Sequence, residues 1–584
     1  MNRLLKTGIA CVVFGFSMFG IRAQDYERFA PKLVPQEERV SEVPSEVPEA
    51  VGEQDVLVEE FKGLVIVDSL DAVSLEGSST RGISAEGFDL LRNETFPKVV
   101  EPYFGQPLSL KSLNELVRDI IIYYRDNDYP VVDVIVPEQE ITNGTVQLVV
   151  VEGRVDDVEV EGNKWFATRT LKGQVRVQSG DRIRATRLLK DVSWLNRNPF
   201  RSVDLVFAPG EELGTTDVIF RTQDRFPVRF YAGYEDSGND ITGDERWVLG
   251  FNWGDAFWQG HQLNYQYTAS SNFQDIGAHS ASYVVPLPWR HTLTAFVSFV
   301  ESETQIPGTT PFNLQGNSAQ AGIRYTIPLP EIENYQHELF AGFDWKQSDS
   351  SLEFGVVPVT ANTTDVGQFL YGYRGTLPDS HGVTSLDVQV VHSPGDWFPH
   401  QNDADYRATR AQARAEYTYM RLKLSRLTKL PWEFSLYNEF NWQLANVSLL
   451  SSEQLGFGGY NSIRGYDERE LSNTDKGWFI RNELRTPPIS ISQLFSKPFG
   501  SNWANDQLQF LVFWDYGIAQ SNNGLVTRAD GNTLRTVYMS GIGPGIRYSI
   551  GNYLSIRADY AFQLNDTGNA RYDSRWHLGV IVSY

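Results

Sequence analysis

Apolar and polar residues alternate along most of the chain from Phe226 to its end. In residues 246–253 one parity reads Trp, Leu, Phe, Trp, while the other carries arginine and asparagine. The same alternation recurs in residues 432–443 and 554–563. A period of two places successive side chains on opposite faces of a β-strand. About sixteen such segments can be counted up to Tyr584, so the sequence predicts a mainly β protein.

The composition of the two faces indicates what kind of β-domain this is. Aromatic residues make up 13% of the chain. They lie on the apolar parity, whereas charged residues of both signs lie on the other. A soluble sandwich would bury its apolar parity in a shared core. Charged side chains on the opposite parity suit the wet interior of a transmembrane barrel. We therefore predict a transmembrane antiparallel β-barrel of about 16 strands over residues 225–584, whose last strand ends on an aromatic residue.

Two small α+β modules are predicted ahead of the barrel, over residues 57–153 and 154–224. In the first, Ser109 is a suitable N-cap for an amphipathic helix, and Asn143-Gly144 supplies the turn between two strands. The second module repeats the order strand, helix, strand, strand. Each module leaves a sheet edge that could accept an extended peptide as an added strand.

Residues 1–23 have the order of a secretory signal. Arg3 and Lys6 form its basic start, residues 9–20 its apolar centre, and Ala23 ends a small-residue cleavage site.

Residues 24–56 are acidic and contain four prolines between Pro31 and Pro48. They are predicted to form an extended linker or a segment that plugs the pore. The only cysteine, Cys11, lies in the signal segment, so the mature chain would have no disulfide and no thiolate ligand. The formal net charge of −22 argues against a nucleic-acid partner.

A long glycine-rich loop over residues 445–476 joins two of the predicted strands. Its centre reads Ile463, Arg464, Gly465, Tyr466, followed by acidic residues. Loops this long are usually functional when they are not disordered. The alternative is an ordinary surface loop with a solvated arginine.

Asp515 is the candidate partner of Arg464. It shares the lumenal parity with Phe513 and Gly517, so it would lie on the inner wall. Glu483 is a second predicted lumenal acid. If the loop folds inward, Arg464 and Asp515 could form a bidentate pair. Alternatively, these acids belong to the general charge lining of a wet pore.

The chain resembles the two-partner secretion transporters, that is, the haemolysin secretion/activation (TpsB) family. Residues 124–130 (YRDNDYP) and 136–144 (VPEQEITNG) resemble that family's first POTRA domain, and residues 195–201 (LNRNPFR) its second. Residues 463–466 resemble the tip of its long sixth loop, and residues 513–517 (FWDYG) its barrel-wall motif.

The resemblance implies an outer-membrane pore with POTRA domains in the periplasm. Such a pore accepts an unfolded exoprotein by its N-terminal secretion domain and exports it through the barrel. The resemblance also implies that Arg464 and Asp515 lock the loop tip to the wall. Outer-membrane lipid is the expected surrounding, and no cofactor, metal site or nucleic acid is expected.

Three other functions make different demands on the sequence. A barrel-assembly or insertion factor of the same superfamily is the nearest alternative, although two modules rather than a longer series favour secretion. A passive porin would not need the modules. An enzyme would need a catalytic constellation, but the eight histidines are scattered and neither a nucleophile motif nor a phosphate-binding loop is evident.

Overall fold

The structure is a computed structural model that describes residues 30–33, 52–212, 214–238, 243–306, 312–332, 334–354, 357–495, 505–522, 524–568 and 573–584. The chain divides into two compact units. One comprises residues 36–227, and the other comprises residues 1–35 together with residues 228–584. The predicted signal segment, residues 1–23, lies outside the described residues.

The described residues of the first unit form nine strands and four α-helices. Its strands are β1 Val56–Val58, β2 Gly63–Val67, β3 Gly82–Ser84, β4 Leu108–Ser109, β5 Val132–Ile135, β6 Thr145–Glu152, β7 Arg154–Glu161, β8 Arg201–Pro209 and β9 Thr215–Asp224. Its helices are α1 Phe96–Val100, α2 Leu110–Asp126, α3 Thr168–Lys172 and α4 Ala185–Leu195. The order β3-β2-β6-β5 forms one sheet and β7-β9-β8 another, and β1 pairs with β4.

Helix α2 covers the first of these sheets. Its predicted N-cap is present, because the Ser109 hydroxyl accepts from the Ser112 amide at 3.2 Å. Leu116 and Ile120 on its apolar face join Leu64 and Leu148 of the sheet in one buried cluster. One face of the sheet is therefore packed, while β5 and β3 remain as edge strands.

The second unit is a closed antiparallel barrel. Its sixteen strands are β10 Val228–Glu235, β11 Arg246–Ala256, β12 His261–Ser270, β13 Ile276–Pro286, β14 Thr292–Ile306, β15 Phe312–Pro328, β16 Gln336–Phe354, β17 Val357–Asp379, β18 Gly382–Pro394, β19 Glu416–Lys429, β20 Ser435–Ala445, β21 Lys476–Arg485, β22 Asp506–Gln520, β25 Thr536–Ile550, β26 Leu554–Gln563 and β27 Ser574–Ser583. The hairpin β23 Val526–Thr527 and β24 Thr533–Leu534 and the helices α5 Asp403–Thr409 and α6 Ile491–Phe495 lie between strands. Strand β10 pairs with β27, which closes the sheet. The predicted fold class is confirmed.

Side chains alternate across the barrel wall as the sequence predicts. In β22, Val512 and Trp514 are 57% and 47% exposed on the outside, whereas Phe513 and Asp515 are 1% and 0% exposed on the inside. The outer face therefore presents apolar and aromatic residues, as a lipid-facing wall requires. Among the described residues, no helix is long and apolar enough to cross a membrane.

Two predicted boundaries were wrong. Residues 432–443 were expected to form a strand, but Pro431–Glu433 is a short 3₁₀ turn and β20 starts at Ser435. Proline has no amide hydrogen to donate to a strand ladder, so pairing begins after it. The long loop is also shorter than predicted, because Ala445 and Lys476 belong to the flanking strands.

Residues 30–33 are the described part of the predicted linker or plug that belongs to the barrel unit. The Lys32 ammonium lies 2.8 Å from Glu235, and the Lys32 amide donates to the Tyr231 hydroxyl at 3.0 Å and to Gln266 at 3.1 Å. These three partners are buried residues of the inner wall. Whether residues 24–56 plug the pore stays a prediction.

Candidate functional site in the barrel lumen

The loop between β20 and β21, residues 446–475, folds back on itself inside the barrel. Backbone hydrogen bonds join its two limbs, from Leu455 to Thr474 at 3.1 Å and from Arg469 to Gly458 at 3.2 Å. Gly458 has φ +99°, a conformation that side chains with a β-carbon rarely adopt. The loop therefore has a defined fold, which brings its tip to the wall.

Apolar side chains hold the loop against the barrel. Phe457, Ile463 and Tyr466 of the loop share a buried cluster with wall residues that include Phe479 and Met539. These contacts exclude water from the tip. Any charge on the tip therefore has to be compensated by polar or charged groups of the wall.

Arg464 is that charge, and it is fully buried. Its Nε donates to Oδ2 of Asp515 at 2.7 Å, and its Nη2 donates to Oδ1 of the same carboxylate at 2.8 Å. The Arg464 amide donates to Asp515 as well, at 3.1 Å. The predicted bidentate contact between loop and wall is thus present in the structure.

Two further carboxylates surround the guanidinium. Nη1 of Arg464 donates to Glu483 at 2.7 Å and to Asp559 at 3.2 Å. Three acids around one arginine would repel one another, but Arg547 donates to both Glu483 (3.0 Å) and Asp559 (2.6 Å). The cluster is therefore a network of alternating charges in which the loop supplies the central cation.

Neighbouring wall residues shape the space around Arg464. The guanidinium carbon lies 3.6 Å from the centre of the Phe513 ring, so the cation rests on an aromatic face. A β-carbon at Gly517 would lie 2.6 Å from Ile463 and 2.8 Å from Phe479, so a larger residue would push the tip away. Phe513 and Gly517 thus belong to the same site as Asp515.

The residues after Arg464 are also bound to the wall. The Gly465 amide donates to Nε2 of His577 at 2.9 Å, and the Gly465 carbonyl accepts from Gln563 at 2.7 Å. The Tyr466 hydroxyl lies 2.9 Å from the carbonyl oxygen of Ser540. All four residues of the predicted tip motif, Ile463 to Tyr466, are buried.

Sequence reasoning missed Asp559 and His577 as partners of the tip. Asp559 lies on the lumenal parity of its strand, but other acids share that property. His577 is one of eight histidines scattered along the sequence. Asp559 and His577 lie 95 and 112 residues from their respective loop partners. Within the described residues, no group of three or more His, Cys, Asp or Glu side chains is arranged to hold a metal ion.

The comparison with protein families bears on this site. The family model described as "Haemolysin secretion/activation protein ShlB/FhaC/HecB" matches residues 214–548, more than half of the chain. The chain belongs to this family. A second model, the ShlB-type POTRA domain, matches residues 79–153. Members of the haemolysin secretion/activation family are two-partner secretion transporters whose partners are secreted exoproteins, and not a class of enzymes. The protein is accordingly an outer-membrane barrel with a POTRA domain in the periplasm.

Individual relatives agree with the family match. The chain is 22% identical over 83% of its length to the heme/hemopexin transporter protein HuxB of Haemophilus influenzae, strain 86-028NP, and covers 83% of that protein. It is 24% identical over 69% of its length to the hemolysin transporter protein ShlB of Serratia marcescens, covering 71% of that protein. Among solved structures, CdiB from Escherichia coli superposes with a TM-score of 0.69 at 17% identity, with 96% of this chain and 94% of that one covered. This last likeness concerns the fold.

Proposed function

We propose that the protein binds an unfolded exoprotein in the periplasm and exports it through the barrel, without hydrolysing a nucleotide. The observation that carries this proposal is the buried loop tip. A member of a secretion-transporter family holds one loop arginine, Arg464, among three wall acids inside its lumen. A loop held there by non-covalent contacts, with the ion pairs of Arg464 at their centre, can be released and bound again.

Recognition of the exoprotein is assigned to the two N-terminal modules, residues 57–153 and 154–224. Strand β5 pairs with another strand on one side only, and so do β8 and, beyond a bridge from Arg154 to Arg182 at its start, β7 in the second sheet. Unpaired backbone groups along such edges can bind an extended chain by strand addition. An N-terminal secretion domain that is still unfolded offers such a chain.

The Arg464 cluster is assigned the role of a reversible lock. Taking one partner from a buried charge network leaves the other charges unpaired, at a cost of about 3–5 kcal/mol. Docking of the tip is therefore favoured while the pore is idle. The exoprotein would have to offset that cost as it enters the lumen.

The chain belongs to a family of secretion transporters, which favours export over the assembly or insertion of other barrels. The two functions also differ in what a broken lock would do. A defective exporter retains one exoprotein in the periplasm, whereas a defective assembly factor reduces the amount of many outer-membrane barrels.

A secretion assay in the native host tests this proposal. Arg464→Ala, Asp515→Ala and the double variant should insert normally yet export at least about tenfold less exoprotein, since each leaves buried charge unpaired. The double variant should be no worse than the single variants, because both residues act as one unit. Arg324→Ala is the matched control. Arg324 makes a bidentate pair with Asp344 (2.6 and 2.9 Å), and within the described residues its hydrogen bonds all go to the wall. Normal export by the Arg464 variants, with loss of other barrels, would mean an assembly factor instead.

A further inference from the structure

A second buried charge lies on the same loop, eleven residues before Arg464. Glu453 belongs to a 3₁₀ turn, Ser451–Glu453, and is fully buried. Its carboxylate accepts from the Lys346 ammonium at 2.7 Å, from the Tyr419 hydroxyl at 2.7 Å and from the Gln368 amide at 3.1 Å. A carboxylate with this many wall donors is bound as specifically as the arginine at the tip.

The backbone of the turn is held as well. The Glu453 carbonyl oxygen accepts from Arg421 at 3.1 Å and from Gln443 at 3.0 Å. Arg421 also donates to Gln443 at 2.6 Å, so these two wall residues form one platform under the turn. The contact therefore fixes both the side chain and the main chain of residue 453.

The two buried charges bind different parts of the wall. The Glu453 partners lie on β16, β17, β19 and β20, whereas the partners of Arg464 and Gly465 lie on β21, β22, β26 and β27. The polarity is also reversed. At residue 453 an acid of the loop meets a cation of the wall, and at residue 464 a cation of the loop meets acids of the wall. The loop thus bridges two separate sectors of the barrel.

We infer that Glu453 is a second anchor of the loop, a positioning residue that keeps the first limb across the lumen and the idle channel narrow. Releasing the tip alone leaves the turn Ser451–Glu453 tied to β16, β17, β19 and β20. Full opening then requires both anchors to break. The inference rests on the proposed function only in supposing that the loop moves during export.

Channel recordings of the full-length protein in planar lipid bilayers test this inference without any exoprotein. Glu453→Gln and Lys346→Met should each raise the ratio of open to closed time at least about tenfold, since each removes the buried ion pair between loop and wall. The matched control is Lys423→Met. Lys423 pairs with Glu439 at 3.0 Å between two wall strands. Lys423→Met therefore removes the same charge from a pair that lies within the wall. Heat-modifiable migration on gels shows that each barrel is folded.

A charge exchange separates positioning from a general loss of stability. The double variant Lys346→Glu with Glu453→Lys restores an attractive pair and should return the open ratio toward that of the unaltered protein. If Glu453→Gln and Lys346→Met behave like Lys423→Met, the anchor does not exist. If the recordings change as expected while the unaltered protein exports nothing, the proposed function fails and the anchor stands.

Discussion

Arg464 uses every side-chain nitrogen that it has. Nε and Nη2 meet Asp515, and Nη1 meets Glu483 and Asp559. Only a planar guanidinium can present donors in these directions at once. The shape of the cation, in addition to its charge, therefore determines how firmly the tip is held.

Arg464→Lys tests that statement because it keeps the positive charge and removes the planar guanidinium with its several donor directions. A single ammonium cannot make the two parallel hydrogen bonds to Asp515. Losing two charged hydrogen bonds, each worth about 1.5–3 kcal/mol, should let the tip undock at least about a hundredfold more often. Ser462→Cys reports undocking. Ser462 is buried beside the tip, and the only natural cysteine, Cys11, lies in the predicted signal segment. The rate of labelling of Cys at position 462 by a membrane-impermeant maleimide measures how often the tip leaves the wall.

Arg324→Lys in the same reporter background is the control, since that arginine pairs within the wall. Labelling that is equally slow in both variants would mean that charge alone holds the tip.

Only some members of this cluster could be predicted from the sequence. Asp515 and Glu483 were identifiable because the period of two assigns them to the lumen and because a known motif surrounds Asp515. Asp559 satisfies the same parity, as do several other acids, so parity alone could not select it. His577 offers its ring nitrogen to a backbone amide, and no sequence pattern marks such a contact.

The long loop is an element whose fold depends on glycine at particular places. At Gly458 a β-carbon would lie 2.4 Å from the Asp467 carbonyl oxygen, and φ is +99°. Gly531, in the described part of another loop, has φ +77° with no atom within 4 Å of that position. The two glycines share the unusual backbone but differ in crowding.

Gly458→Ala should therefore impair export and speed the labelling of the Ser462→Cys reporter, whereas Gly531→Ala should change neither measurably. In both variants alanine has to adopt a positive φ, which destabilises the folded protein by about 1–2 kcal/mol. Only Gly458→Ala also forces the two limbs of the loop apart. Equal effects of the two substitutions would mean that backbone strain, and not the close approach of the limbs, limits the loop.

At this scale the sequence predicts strands better than it predicts what joins them. Alternation gave a count of about sixteen segments, and the barrel has sixteen strands, because lipid on one side and water on the other act on every residue of a strand. It failed at Trp432, which is apolar but 87% exposed in a turn. It also gave no indication of Glu453, because a residue in an irregular loop has no periodicity from which its surroundings can be inferred.

For the whole molecule, our proposal requires the direction of transport to arise without nucleotide hydrolysis. A folded domain is wider than an extended chain and cannot re-enter the pore, so folding of the emerged part biases further movement outward. The free energy of folding of the exoprotein, typically about 5–15 kcal/mol per domain, is sufficient to exceed the cost of breaking one buried charge network.

This mechanism predicts that export depends on the ability of the exoprotein to fold outside. Substitutions that prevent its exterior portion from folding, but leave its N-terminal secretion domain intact, should slow export by at least about tenfold and leave chains spanning the pore. Protease added outside intact cells measures how much of each chain has emerged. As a control, equally many surface substitutions that preserve folding should be exported at the normal rate. Full-rate export of the non-folding chain would contradict the mechanism, because movement would then need a driving force other than folding.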